Sequence, residues 1–387
     1  MFGGFPCQPF SASGKRNGFA DTRGTLFFEI ERIIKYRQPT GFILENVEGL
    51  VKHDLENKND EIGRTLKTIL YKLEVELGYQ VSWKVLDSVQ FGVPQSRKRV
   101  FIVGTKDEKV SLNNFEVTFK ILNDILEKGK PLMDTDFTKK LLSYFTVEEL
   151  YGKSIKDKRG GENNIHSWDL GIKGECSEDQ INLLNRLFKE RRKKQWAEEI
   201  GIDWMDGMPL TLSQIQSFFP VNNRAAYSLF ESIDLKALLD NLVEKGYIKF
   251  EHPKKLISEN TENGVITSRV YDETKPKGYN IVTGKLSFEV NKILNPYEIA
   301  PTLVATDMVK IVVPDGKGIR KLTIREGLRL FGYPENYEIP VKESLAFDLL
   351  GNTVVVPVIK AISERILDVL SLPEYEIFEN KKMELTA

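Results

Sequence analysis

Apolar positions in the first hundred residues follow two periods in turn. Leu26, Ile30, Ile33 and Ile34 recur at helical spacing, so Thr25 to Arg37 reads as an amphipathic helix that Gln38-Pro39 ends. Phe42-Ile43-Leu44 is a short apolar run suited to a buried strand, and it stops abruptly at Glu45-Asn46-Val47. Ile62, Leu66, Ile69, Leu70, Leu73 and Leu77 mark a second helix over Glu61 to Leu77, closed by Gly78. Tyr79, Val81, Trp83 and Val85 alternate as in a strand that runs to Leu86. Val100 to Gly104 is a further apolar strand. Helix and strand alternate to Gly104, which predicts an α/β domain with a mostly parallel sheet and helices on its faces.

The pattern changes near Asp107. From there to about Asn295 the chain is more polar, with several helical signals and few strand signals. Leu212 to Phe219 and Leu235 to Lys245 read as short helices, and Tyr247 to Phe250 as a strand after them. Helix, helix, then strand is compatible with a winged-helix-like unit. Near Pro301 the α/β character returns. Thr323 and Glu326 stand at capping-box spacing, and the helix they open stops at Gly332 with Pro334 beyond. Gly351-Asn352-Thr353-Val354-Val355-Val356-Pro357 leads into a last helix ending about Leu370. The predicted organisation is an α/β domain from 1–107 and 298–372, a smaller, mostly helical domain from 108–297, and a polar tail from 373–387.

Composition narrows the classes. A chain of 387 residues with 41% hydrophobic content can bury a full core in one large domain or two. The net charge is -1, so any nucleic-acid surface must be a local patch. Lys189, Arg191, Arg192, Lys193 and Lys194 form one candidate, either a DNA contact or a solvated face. Two cysteines, Cys7 and Cys176, and three histidines make neither a disulfide framework nor a metal site. No run reaches membrane-spanning length and the first residues lack a signal-peptide pattern, so a cytoplasmic location is expected.

The candidate chemistry begins at Gly3-Gly4-Phe5-Pro6-Cys7-Gln8-Pro9-Phe10-Ser11. Glycines enter the turn and prolines flank the thiol, which suits either a presented nucleophile or a small buried hydrophobe. Ser11 to Thr22 reads as a polar surface loop. Glu45 sits where a buried parallel strand would end, the place where open α/β sheets carry chemistry; it could also cap the following turn. Gln95-x-Arg97-x-Arg99 precedes the Val100 strand. A thiolate needs an electron-poor carbon, and C6 of cytosine is one when a carboxylic acid engages N3 and an arginine holds O2. Attack there makes C5 nucleophilic toward an electrophilic methyl donor. A base inside a duplex must first be flipped out.

Six segments in order resemble the C5-cytosine DNA methyltransferases. They are the Pro6-Cys7-Gln8 segment, Asp21 to Phe27, Glu45-Asn46-Val47, Gln95 to Arg99, Arg320 to Tyr333, and Gly351-Asn352-Thr353-Val354, where Thr353 departs mildly from the family pattern. The resemblance implies that Cys7 is the nucleophile, Glu45 the N3 partner and Arg99 the O2 contact, with Arg97 and Gln95 supporting the site. The Phe5 carbonyl is a further implied contact to the flipped base. Ser11, Ser13, Lys15 and Arg16 fall in the loop that closes on DNA. Pro6, Leu26, Asn352 and Val354 would line the S-adenosyl-L-methionine pocket, and residues 108–297 would choose the DNA sequence. The family's glycine-rich D-L-F-x-G-x-G-G segment is not found before Met1. The expectation is therefore a Rossmann-like sheet missing its first strands and an incomplete cofactor pocket. The expected partner is double-stranded DNA; the chain reads as a gene fragment, a late start or one half of a split enzyme, and in the last case a second polypeptide would supply that segment. The rival reading is a DNA-binding fragment, or one subunit of a split enzyme, that cannot turn over alone.

Overall fold

A computed structural model describes residues 1–5, 26–158, 160–219, 234–261, 264–284 and 287–370. Pro6, Cys7, Ser11, Ser13, Lys15 and Arg16 lie outside the described residues. The chain forms two compact units. The first comprises Met1–Lys130, Asn295–Val309 and Leu322–Ala387; the second comprises Pro131–Leu294 and Lys310–Lys321.

The first unit begins with β1 (Phe2–Gly4), α1 (Leu26–Arg37), β2 (Gly41–Val47), α2 (Arg64–Tyr71), β3 (Gln80–Asp87) and β4 (Lys98–Thr105). The sheet order is β1-β2-β4-β3. Only β1 and β2 pair in parallel; β4 runs antiparallel to both β2 and β3. A mostly parallel sheet was expected, and the connection explains the difference. Residues 88–97 join β3 to β4 with no crossover helix, and parallel neighbours need one. The buried stripe of α1 is Phe27, Ile30 and Ile34; Leu26 and Ile33 face outward. These side chains meet Phe42 and Leu44 of β2 and Leu66, Ile69 and Leu73 of the second helix in one core. That helix continues past Tyr71 as a π-turn over Lys72–Glu76.

The boundary near Asp107 does not separate the units. Residues 110–130 belong to the first, with Val110, Leu112, Leu122 and Ile125 buried. Arg365 secures this segment, donating to the carbonyls of Ser111 and Asn114 at 2.6 and 2.9 Å and lying 3.7 Å from the Phe115 ring centroid. The polarity change therefore marks the end of the sheet and not the end of the domain.

The second unit is mixed rather than mostly helical. Its helices are α3 (Asp136–Tyr144), α4 (Glu178–Glu190), α5 (Gln195–Ile200), α6 (Leu212–Phe218) and α7 (Leu235–Glu244). Its strands are β5 (Ser154–Ile155), β6 (Asn164–Ile165), β7 (Ile248–Glu251), β8 (Lys254–Thr261), β9 (Gly264–Tyr271), β10 (Gly278–Ile281), β11 (Lys292–Ile293), β12 (Ile311–Asp315) and β13 (Gly318–Lys321). Strands of two residues leave no alternation to read. One sheet has the order β13-β12-β11-β5-β6. Elsewhere β7 pairs antiparallel with β10, and Leu210, just before α6, bridges Tyr279 of β10. Between β7 and β10 the chain forms the hairpin β8–β9. Trp168, Leu183, Leu187, Leu239, Tyr247 and Ile281 are part of the core that joins these helices to β7 and β10.

The chain returns to the first unit with α8 (Ala305–Met308), α9 (Ile324–Leu330), α10 (Glu343–Asn352) and α11 (Val356–Val369). The capping box at α9 is formed: Thr323 Oγ1 accepts from the Glu326 amide at 3.1 Å, and Glu326 Oε2 accepts from the Thr323 amide at 2.8 Å. Gly332 ends the turn after it with φ of 73°. By length and composition alone Glu343–Val369 could cross a bilayer. It is two helices, however, and Phe347, Leu350, Val358 and Ile362 are buried in the protein.

Candidate active site

Glu45 lies near the end of β2, paired in register with Gly4 of β1 on one side and Phe101 of β4 on the other. Arg99 opposes Val47, so it shares the Glu45 face and reaches diagonally across it. Its Nε meets Glu45 Oε1 at 3.0 Å, and Nη1 donates to the Lys98 carbonyl at 2.8 Å. Both side chains keep some solvent access, 16% for Arg99 and 19% for Glu45, so a ligand could still touch them. Burial raises the Glu45 pKa above the ordinary carboxylate value, against the opposing charges of Arg99 and Arg97 and the Arg99 hydrogen bond. A carboxyl that holds its proton to higher pH is suited to act as a general acid.

Asn46 joins this strand end to β1. Its Nδ2 donates to the Phe5 carbonyl at 3.1 Å, and its Oδ1 accepts from the Val47 amide at 2.8 Å. The Phe5 carbonyl, implied as a base contact, thus already holds one hydrogen bond. Gly4 gives the close approach: a Cβ there would stand 3.2 Å from the Glu45 carbonyl. Asn46 was part of a recognised segment but carried no assigned role. The signal was its place directly after the carboxylate at the end of an apolar run, where a buried amide (2% exposed) must be satisfied.

Gln95 and Arg97 are framework groups. Gln95 is fully buried; its Nε2 donates to the Leu330 carbonyl at 3.0 Å and its Oε1 accepts from the Leu303 amide at 3.1 Å. Arg97 is buried, with Nη1 on the Leu303 carbonyl at 3.1 Å and Nη2 on those of Gly351 and Thr353 at 3.2 and 3.1 Å. Both therefore clamp the C-terminal segments onto the β4 end that carries Arg99. Asp87, which the sequence did not single out, fixes the same loop by accepting from Ser96 Oγ at 2.8 Å and the Arg97 amide at 3.1 Å. Gly351 is required by packing, since a Cβ would meet the Ala305 amide nitrogen at 2.2 Å. Thr353, the departure from the family pattern, places its hydroxyl 2.7 Å from that of Tyr333.

This arrangement makes a stability prediction. Arg97→Ala leaves three carbonyls without their donor and is expected to cost about 3 kcal/mol. The midpoint of thermal unfolding should fall by roughly 6–12 °C, and Arg97→Lys, lacking the fork, should restore only part of it. An unchanged midpoint in Arg97→Ala would contradict the clamp.

Three residues implied at the cofactor are described. Leu26 is exposed at the start of α1, Val354 is half-buried, and Asn352 is exposed at the end of α10, its Nδ2 on the Asp348 carbonyl at 2.9 Å. The basic run is not one surface. Arg191 is buried, donating from Nη1 to Asn280 Oδ1 at 2.8 Å and to the Ile281 carbonyl at 3.3 Å. Burial first, then Arg192, pulls its pKa down to about 10. Arg192 pairs with Asp206 at 3.0 Å and Lys193 with Glu190 at 2.9 Å. Arg191 is therefore withdrawn as a surface contact; Lys189, Lys193 and Lys194 remain exposed. Among the described residues no cluster of His, Cys, Asp and Glu could hold a metal ion.

Comparison with known proteins shows the family of the chain. The family model described as C-5 cytosine-specific DNA methylase matches residues 1–368. The Type II methyltransferase M.NlaIV of Neisseria lactamica is 55% identical over 371 residues, covering 96% of this chain and 83% of that protein. The Type II methyltransferase M.NgoBV of Neisseria gonorrhoeae is 54% identical over 370 residues, again covering 96% and 83%. Among solved structures, the Entamoeba histolytica methyltransferase EhMeth aligns at 12% identity with a TM-score of 0.41, over 95% of this chain and 77% of that one. Each of the two Neisseria relatives is matched along one polypeptide, so a second chain finds no support in them.

Proposed function

Because the chain belongs to the C-5 cytosine-specific DNA methylase family, and is a DNA cytosine methyltransferase, we propose that it works through a covalent bond between Cys7 and C6 of a flipped-out cytosine. The observation that carries this reading is the Glu45–Arg99 pair at 3.0 Å, on a strand end tied by Asn46 to Phe5, two residues upstream of Cys7. In this reading the Cys7 thiolate adds to C6 while the Glu45 carboxyl donates to N3, so the electron pair of the C5–C6 bond is released toward C5. Arg99 turns a guanidinium N–H to O2 and stabilises the charge that builds there. S-adenosylmethionine, when bound, supplies an electrophilic methyl group. Loss of the C5 proton and expulsion of the thiolate then restore the aromatic base and free Cys7.

The residues present suit that cofactor in kind. Leu26 and Val354 offer apolar surface, and the exposed Asn352 amide offers a hydrogen-bonding group at a helix end. Pro6 is assigned beside them from the resemblance.

The second unit supports the reading of a DNA-recognition domain. Helix α6, helix α7, strand β7, a hairpin and then β10, with Leu210 bridging β10, is the strand and helix order of a winged helix. Its relatives' description as Type II methyltransferases favours a modification enzyme of a restriction–modification system. Exchanging residues 131–294 for those of a relative with another target should move methylation to the donor's site, mapped by bisulfite sequencing. Methylation that stays at the original sequence would contradict the assignment. Cognate affinity should also fall steeply with salt, despite a net charge of -1, through phosphate contacts.

A further inference from the structure

The hairpin β8–β9 is not accounted for by either core. Its register runs from Lys254 opposite Tyr271 to Thr261 opposite Gly264, and neither strand pairs with any other among the described residues. An isolated two-stranded ribbon is marginal in water unless something covers it. Both of its faces are open: Leu256, Thr267, Arg269 and Tyr271 on one, and Lys255, Ser268 and Val270 on the other, are exposed.

The two faces differ in chemistry. Lys254, Leu256, Ser258, Thr267, Arg269 and Tyr271 alternate onto a single face. Lys254 Nζ lies 5.1 Å from the Tyr271 ring centroid, and the Tyr271 hydroxyl donates to Glu251 Oε2 at 2.9 Å. Arg269 stands opposite Leu256 in the middle of this face, and its guanidinium makes no hydrogen bond or ion pair to a described residue. On the other face Lys255 is turned to Asp272 at 3.4 Å. Residues 254–258 and 267–271 carry three cations and no carboxylate, in a chain whose overall charge is -1.

We propose that this ribbon lies in the major groove of the DNA, with the Arg269 face toward the base edges. The inference rests on the reading of the second unit as the recognition domain. The groove admits a two-stranded ribbon, and arginine reads guanine there by a bidentate hydrogen bond. Ser258 and Thr267 hydroxyls add donors and acceptors on the same face, and Leu256 offers an apolar contact of the kind a thymine methyl takes. The positive charge of the strands favours the polyanion over a protein partner.

The test uses the whole protein, its cognate duplex and a duplex with single base changes in the site. Arg269→Ala should weaken cognate binding by about 10–100-fold and narrow the gap between cognate and changed duplexes. Arg269→Lys should keep affinity for the changed duplexes yet lose discrimination, because lysine lacks the fork. Thermal midpoints should match the parent, since the position is exposed. An equal loss on every duplex, with a smaller salt slope, would put Arg269 on the backbone and overturn the groove reading. Parent-like binding by Arg269→Ala and Lys254→Ala would remove the ribbon from the interface. If the exchange of residues 131–294 moves the methylated site while these variants bind normally, the ribbon assignment alone fails; if the exchange also fails, the recognition reading falls with it.

Discussion

Cys7→Ala is expected to abolish methyl transfer while leaving sequence-specific DNA binding intact. The cytosine C5 carbon is a poor nucleophile until C6 carries an added group, so the thiol is needed for the chemistry and not for the contact with DNA. The contacts described beside that step do not use the thiol: β1 pairs with β2 through Gly4 and Glu45, and Asn46 holds the Phe5 carbonyl. The measurement is incorporation of labelled methyl groups into cognate duplex, alongside a binding titration. Methylation by the alanine variant at even a hundredth of the parent rate would show that another group adds to the base. Loss of DNA binding together with activity would show instead that Cys7 supports the fold.

Glu45→Gln is expected to slow methylation by roughly 10²–10⁴-fold, the usual span of general acid–base assistance. Glutamine keeps the shape and can still accept a hydrogen bond from Arg99, so a structural role alone would be largely spared. The pH profile separates the two roles. Burial, the chief influence on the group, raises the Glu45 pKa, and the form that donates to N3 is the protonated one. Activity per encounter, kcat/KM, should therefore fall as pH rises through that raised value, and the limb should vanish in Glu45→Gln. The linkage has the same sign: the native state holds this proton more tightly than the unfolded chain. The stability it contributes is present below the ordinary carboxylate pKa and is lost as pH rises through the raised one. A Glu45→Gln enzyme of near-parental rate, or one that retains the alkaline limb, would leave the carboxyl without the role assigned to it.

Much of the first unit was legible because its strands are buried runs and its helices are striped. Glu45 stood out because an apolar run stopped abruptly at a carboxylate, and β2 ends two residues later. The direction of β4 could have been read from the short 88–97 connection, but apolar patterning carries no direction. The mixed character of the second unit was hidden for another reason. Strands such as Ser154–Ile155 and Lys292–Ile293 are fixed by a pair or two of bridges and not by local preference. Arg191 offered a missed signal: it follows Leu187 and Phe188 by four and three residues, which puts it on the buried face of α4 and not among the solvated lysines. The tasks of Gln95 and Arg97 depend on carbonyls more than two hundred residues away, such as Leu330 and Gly351, which no local pattern brings into view.

The central claim, a covalent bond from Cys7 to cytosine, is tested most directly by trapping. The protein is incubated with its cofactor and a cognate duplex carrying 5-fluorocytosine at the target, where fluorine blocks the loss from C5 that normally frees the thiol. The account predicts a denaturation-resistant protein–DNA adduct whose peptide map places the nucleotide on Cys7, and no adduct from Cys7→Ala. An adduct that persists in Cys7→Ala, or methylation of the normal duplex with no adduct on the fluorinated one, would contradict it.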